Sequence, residues 1–270
     1  MAAEDAVSTY RFTAGRIPLL VSMPHAGTDL PDGFADRLTE PAKALPDTDW
    51  HLPALYDFLD EVGCSVLVAR YSRLVVDLNR PPDDAPLYTT ATTGLIPPEL
   101  FDGAPVYRPG AGPDQAEKRE RVERYWRPFH TKLAEELARL RATYGTAVLF
   151  EAHSIRSEVP RLFRGRLPDL NMGTNDGDSA DPGLAKRLFA ILARAEGYTS
   201  VLNGRFKGGY NTRHYGAPAR DIHAVQLELA QAAYMEEAPP FAFRPDRAAS
   251  LRPHLRRFVE ALAEFAAAKQ

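Results

Sequence analysis

Residues 19–27 read Leu19-Leu20-Val21-Ser22-Met23-Pro24-His25-Ala26-Gly27, a short apolar run that ends in a proline and delivers a histidine. Two later segments repeat the arrangement. Ala147-Val148-Leu149-Phe150 leads into Glu151-Ala152-His153-Ser154, and Ala224-Val225-Gln226-Leu227 leads into Glu228-Leu229. Short runs rich in Val, Leu and Ile read as buried strands, and in an open α/β sheet ligands bind beyond the carboxyl ends of such strands. Two histidines and a carboxylate delivered there approach the minimum set for a metal-assisted hydrolase. The chain reads as an enzyme.

Working outward, Ser65–Ala69, Leu74–Asp77 and Tyr198–Leu202 read as further strands. Pro31–Leu38 reads as a short helix. Pro46-Asp47-Thr48-Asp49 is a loop and capping signal before Trp50–Leu59, where Leu52, Leu55, Tyr56 and Leu59 share one helical face. Gln115–Tyr144 is the most regular helix: Val122, Tyr125, Trp126, Phe129, Leu133, Leu137 and Leu140 form its apolar stripe. Pro128 is expected to kink or split it. Pro182–Glu196 reads as a helix stopped by Gly197, and Ser250–Ala268 as a closing amphipathic helix. Strands alternating with helices predict an α/β fold, one three-layer α/β/α domain over residues 1–270 with a mostly parallel mixed sheet. The irregular stretches 79–110, 154–181 and 203–219 each follow a strand in this reading. They are expected to gather over one edge of the sheet as a lid and walls.

Composition narrows the class. The chain has 270 residues, 44% hydrophobic and 26% charged, as in ordinary soluble globular proteins. Lys and Arg number 33 against 36 Asp and Glu, a net charge of −3 that argues against nucleic acid or an anionic membrane as a general partner. The single cysteine, Cys64, excludes an intramolecular disulfide and fits a reducing compartment; between Val62-Gly63 and Val66-Leu67 it reads as a buried thiol. Met1–Tyr10 carries Glu4 and Asp5 and has no apolar core, so it does not read as a signal peptide. No apolar stretch approaches the ~20 residues of a membrane span. A cytoplasmic protein is expected, and nothing in the sequence speaks to its oligomeric state.

The chain has no His-Glu-x-x-His helix, no Cys-x-x-Cys pair, no Gly-x-Ser-x-Gly elbow and no phosphate-binding glycine loop. Its candidates are dispersed, and each has a plain alternative. His25 and His153 both lie just past a strand, where a histidine satisfied by backbone at a turn is equally common. Asp47 and Asp49 flank a loop before a helix; one can serve as the cap while the other offers an oxygen ligand. Glu228 sits within a strand that otherwise reads as buried. Left unpaired there, its charge would be destabilising by several kcal/mol, so it needs a metal or an arginine nearby. Asn79 and Arg80 close another apolar run, and the planar fork of Arg80 suits a carboxylate. Arg213 and His214 lie in the Gly208–Gly216 segment, whose density of donors is more typical of a site than of a solvated loop.

Together these segments resemble the N-formylglutamate amidohydrolase family. The resemblance runs from about Leu19 to Met235 and rests on Ser22–Gly27, Pro46–Trp50, Ser72–Pro81, Glu151–Ser154, Asn171-Met172-Gly173-Thr174, Gly208–Gly216 and Gln226–Leu229, in that order. The family is in turn similar to zinc carboxypeptidases and aspartoacylase, which share a mixed α/β/α sheet and one catalytic metal. The resemblance implies that His25 and His153 are zinc ligands, that Asn79-Arg80 holds a substrate carboxylate and that Glu228 is the general base. One departure matters. The relatives use His-x-x-Glu, whereas Thr28 stands three residues after His25. The carboxylate ligand must come from elsewhere, with Asp49 preferred to Asp47.

The implied reaction is hydrolysis of N-formyl-L-glutamate to formate and L-glutamate, a step of histidine breakdown. Zn²⁺ or another divalent metal would be held by His25, Asp49 and His153, and Arg80, Asn79, Arg213 and His214 would bind the small N-formyl amino acid. Two other readings remain: a zinc deacylase of another N-acyl amino acid, and a metal- or anion-binding module without turnover. A buried carboxylate beside the metal, yet not bound to it, favours catalysis.

Overall fold

The computed structural model describes residues 8–87 and 92–268; the readings of Met1–Tyr10 and of 79–110 fall partly outside them, at 1–7 and 88–91. Seven strands form one mixed sheet: β1 (Tyr10–Thr13), β2 (Leu19–Met23), β3 (Ser65–Ala69), β4 (Ala147–Ile155), β5 (Leu170–Gly173), β6 (Ser200–Leu202) and β7 (Ile222–Ala230). Their order is β1-β3-β2-β4-β7-β5-β6. The central pairings β3·β2, β2·β4 and β4·β7 are parallel. Only β1 against β3 and β5 against β7 run antiparallel.

Side-chain alternation along the strands assigns the two faces. Leu19, Val21, Val148, Phe150, Val225 and Leu227 pack on one side against α2 (Leu52–Leu55), α3 (Leu59–Val62), α6 (Pro182–Leu192) and α8 (Pro245–Ala267). Leu20, Leu149 and Ala224 pack on the other against the long helix that begins at α4 (Gln115–Arg121) and ends as α5 (Arg127–Tyr144). Short α1 (Glu40–Lys43) lies on this second side, where Ala42 is buried, and α7 (Tyr210–Tyr215) packs its tyrosines there too. The result is the expected three-layer α/β/α arrangement. No helix among the described residues is long and apolar enough to cross a membrane.

Several local expectations need correction. Leu74–Asp77 is a turn: its apolar residues are buried by packing against the α5 layer, and an apolar run alone does not separate that from a strand. The stretch 79–110 therefore follows a buried turn. Trp50–Leu59 is broken: His51 is left-handed (φ 61°) before α2, and Tyr56 leaves helical angles after it (φ −95°, ψ 38°), so α2 and α3 are single turns. Pro31–Leu38 holds only a 3₁₀ turn at Ala35–Arg37. The stretch 154–181 contains the end of β4 and all of β5, and 203–219 contains α7. β1, an edge strand, is an addition to the expected set. Between α4 and α5 the helix opens into a π turn, Val122–Trp126, which accommodates Pro128 without an amide to continue the α ladder. Cys64 is buried, and burial pushes its thiol up to about 12.

Candidate active site

The parallel register of β4 and β7 builds the floor of a cavity. Alternation puts Leu149, Glu151 and His153 on the α5 side of β4, and Ala224, Gln226 and Glu228 on the same side of β7. His153 pairs directly with Glu228, and Glu151 with Gln226. His25 follows β2, the neighbour of β4, at the same end of the sheet. The loop before α2 is drawn in by the Asp49 amide, which donates to the His25 carbonyl at 3.0 Å.

His25, Asp49 and His153 meet: one ligand atom from each lies within 4.8 Å of the others, and all three residues are buried. His25 Nδ1 is 3.8 Å from Asp49 Oδ2, and His153 Nδ1 donates to the same oxygen at 3.0 Å. His25 Nε2 donates to Asp77 Oδ1 at 2.7 Å, which fixes the ring with Nδ1 turned toward Asp49. Asp77 is itself held by Arg73 Nη2 at 2.6 Å. Two observations bear on whether a cation fits here. Asp49 Oδ1 is buried without a hydrogen-bond partner, with Arg73 Nη1 3.8 Å away. Burial opposes charge on His153, yet hydrogen bonds with Asp49 and Glu151 push it up to about 10, so the carboxylates around it call for positive charge. Two imidazoles and a carboxylate are a donor set suited to zinc.

Asp47 does other work. Its Oδ2 accepts from the Phe101 amide at 2.7 Å and its Oδ1 from Arg156 at 3.1 Å, so it pins the roof of the cavity. Glu228 is 8% exposed, with the positive charges of His153, Arg73 and Arg80 acting on it from nearby. Its Oε2 accepts from Gln226 Nε2 at 3.3 Å. Burial pushes its pKa up to about 7, against the charge of His153.

The cavity above these groups has a volume of about 60 Å³. Each of the three irregular stretches supplies part of its wall, including Arg80, Phe101, Leu162 and Arg205. Arg80 is half-buried and, among the described residues, donates only to neutral oxygens: the carbonyls of Thr93 (2.7 Å) and Asn79 (2.9 Å) and the hydroxyls of Thr92 and Thr93. Asn79 faces inward; its Nδ2 lies 3.2 Å from His153 Nε2 and its Oδ1 accepts from the Asn211 amide at 2.9 Å. Arg213 and His214 do not line the cavity. Arg213 Nε donates to the Gly208 carbonyl, and exposed His214 stacks on Tyr210.

Sequence reasoning passed over four residues. Glu151 was detectable, since it shares a strand face with His153; its Oε2 lies 3.4 Å from His153 Nε2 and accepts from Asn211. Arg73 and Asp77 sit four residues apart in Ser72–Pro81, a spacing that carried a signal only if that run turned. Arg205, in the loop after β6, had none.

Residues 17–235 match the N-formylglutamate amidohydrolase family. An N-formylglutamate deformylase from Pseudomonas aeruginosa is 59% identical over 251 residues, 93% of this chain and 94% of the relative. Another from Pseudomonas putida is 56% identical with the same coverage. The crystal structure of an N-formylglutamate amidohydrolase from Ralstonia eutropha JMP134 superposes with a TM-score of 0.82 at 27% identity, covering 96% of this chain and 98% of that one. Identity this high along nearly the full length of both Pseudomonas proteins, with the family match over residues 17–235, means that the chain belongs to the N-formylglutamate amidohydrolase family.

Proposed function

We propose that the protein hydrolyses N-formyl-L-glutamate to formate and L-glutamate, with His25, Asp49 and His153 holding a divalent cation, zinc by their chemistry. The observation that carries this reading is Arg80: a half-buried guanidinium with only neutral partners faces the same small cavity as an unpaired buried carboxylate, Glu228. Such a cation has no carboxylate bonded to it among the described residues, and a substrate carboxylate supplies one. Arg205, anchored through its Nε to the Leu162 carbonyl at 2.9 Å, provides the second guanidinium for a dicarboxylate.

A cation held by His25, Asp49 and His153 would supply Lewis acidity, lowering the pKa of a water and polarising a carbonyl. Glu228, with its pKa near neutrality, accepts the proton that water loses as its oxygen bonds to the formyl carbon. The same proton then passes from Glu228 to the amine nitrogen as the C–N bond breaks, releasing formate and the amino acid. Gln226 steadies the carboxylate, while Asp77 keeps the His25 ring in place. The reading extends to one catalytic domain over the whole chain, to a step of histidine breakdown and to the cytoplasm, where a lone buried thiol is at home.

Formate release from a panel of N-acyl amino acids, with elemental analysis of the purified protein, tests the reading. N-formylglutamate is expected to be the preferred substrate and about one divalent cation to be bound per chain. Asp49→Ala should lose metal and activity together, whereas Asp47→Ala should keep its metal. Preference for another acyl group, or full metal in Asp49→Ala, would overturn the corresponding part.

A further inference from the structure

The segment Leu78-Asn79-Arg80 belongs to no strand or helix, yet each of its three carbonyls accepts a hydrogen bond from a side chain. Leu78 O accepts from His130 Nε2 at 2.9 Å, Asn79 O from Arg80 Nη1 at 2.9 Å, and Arg80 O from Trp126 Nε1 at 2.9 Å. Asp77 holds the Asn79 and Arg80 amides locally, and two of the three carbonyls are held from outside, by donors four residues apart on one helix. Trp126 closes the π turn and His130 lies one turn further along, their rings stacked 3.7 Å apart with planes at 18°.

We propose that Trp126 and His130 are positioning residues, which hold the Asn79–Arg80 segment from behind and thereby set where Arg80 meets the substrate carboxylate. The proposal rests on the functional reading above. Donation from Nε2 to the Leu78 carbonyl leaves Nδ1 to accept from the Tyr215 hydroxyl at 2.9 Å. Tyr215 ends α7, and the Asn211 amide of α7 donates to Asn79 Oδ1. His130 thus ties two walls of the cavity to the helix beneath them. Burial pushes its pKa down to about 3, so the ring stays neutral and keeps both roles. The π turn has a purpose in this arrangement. It shifts the helix register just before Trp126, and such bulges recur at functional sites.

A double-mutant cycle on formate release tests the coupling. Trp126→Phe keeps the stacked ring and removes the donor. It is expected to raise KM for N-formylglutamate about tenfold, with kcat within about twofold and metal content unchanged. In an Arg80→Lys background the same substitution should change kcat/KM by less than about twofold, because the residue it acts through is already altered. His130→Gln, which retains a donor, should stay within about threefold of the parent KM, while His130→Leu should not. Additive effects of Trp126→Phe and Arg80→Lys, no effect of Trp126→Phe, or equal damage from both His130 variants would overturn the proposal. An unsubstituted protein that releases no formate from N-formylglutamate would instead overturn the functional reading.

Discussion

Glu228 sits 8% exposed beside His153 and Asp49, and burial pushes its pKa up to about 7. A carboxylate in that position exchanges a proton readily at neutral pH, which is what a base that later acts as an acid requires. Glu228→Gln keeps the volume and the contact with Gln226 but cannot take a proton. Turnover should fall at least ~10²-fold while bound metal is retained. Formate release measured beside metal content checks both halves. Near-normal turnover would move the base elsewhere, Glu151, whose Oε1 is buried without a hydrogen-bond partner, being the next candidate. At this scale much of the site was legible. His25, His153 and Glu228 end or follow apolar runs, so strand reading alone put them at one end of a sheet. Asp49 needed the resemblance, because an aspartate before a helix looks like a cap. Asp77, Arg73 and Arg205 acquire meaning only when the chain folds back on itself, and no local pattern marks that.

Elements place these residues by close approach as much as by pairing. The chain at Gly209 passes directly over Asn79, and a Cβ there would lie 2.2 Å from Asn79 Nδ2. The Gly209 amide also donates to Gln226 Oε1 at 2.8 Å, so the backbone has little room to retreat. Asn79 is held between His153 and Asn211. Gly209→Ala should therefore displace Asn79 and reduce kcat/KM more than about tenfold, well beyond its effect on thermal stability. Gly112→Ala, whose new methyl would meet only Tyr107 at 4.0 Å, is the matched control and should be silent. Equal behaviour of the two variants would show that the 208–216 segment yields without disturbing the site. The same economy explains which elements were misread. Leu74–Asp77 has the composition of a strand, but its neighbour in space is the α5 layer, and the run turns so that Asp77 reaches His25. The long helices were legible because their periodicity is sustained over many residues, and the central strands because each is a short continuous apolar run.

At the scale of the whole molecule, the layer that buries α5 against the sheet also buries a titratable group away from His25, Asp49 and His153. His130 is 4% exposed, and burial pushes its pKa down to about 3 although its bond to the Leu78 carbonyl pulls the other way. In the unfolded chain the same ring titrates near its ordinary value of about 6.5. Between those two values the unfolded state binds a proton that the folded state refuses. The stability from keeping His130 neutral is thus complete above about pH 6.5 and is lost progressively as pH falls toward 3. Between pH 7 and pH 5 the loss amounts to about 2 kcal/mol, integrating the proton-binding difference with the unfolded value. Other groups titrate over the same range, so the contrast with His130→Leu isolates this one. That variant lacks the donor to Leu78 and should be less stable at pH 7. Its stability, from urea unfolding at each pH, should fall by about 2 kcal/mol less than the parent's on moving to pH 5. Parallel losses in the two proteins would mean that His130 accepts its proton without unfolding, and that the α5 layer opens around it instead.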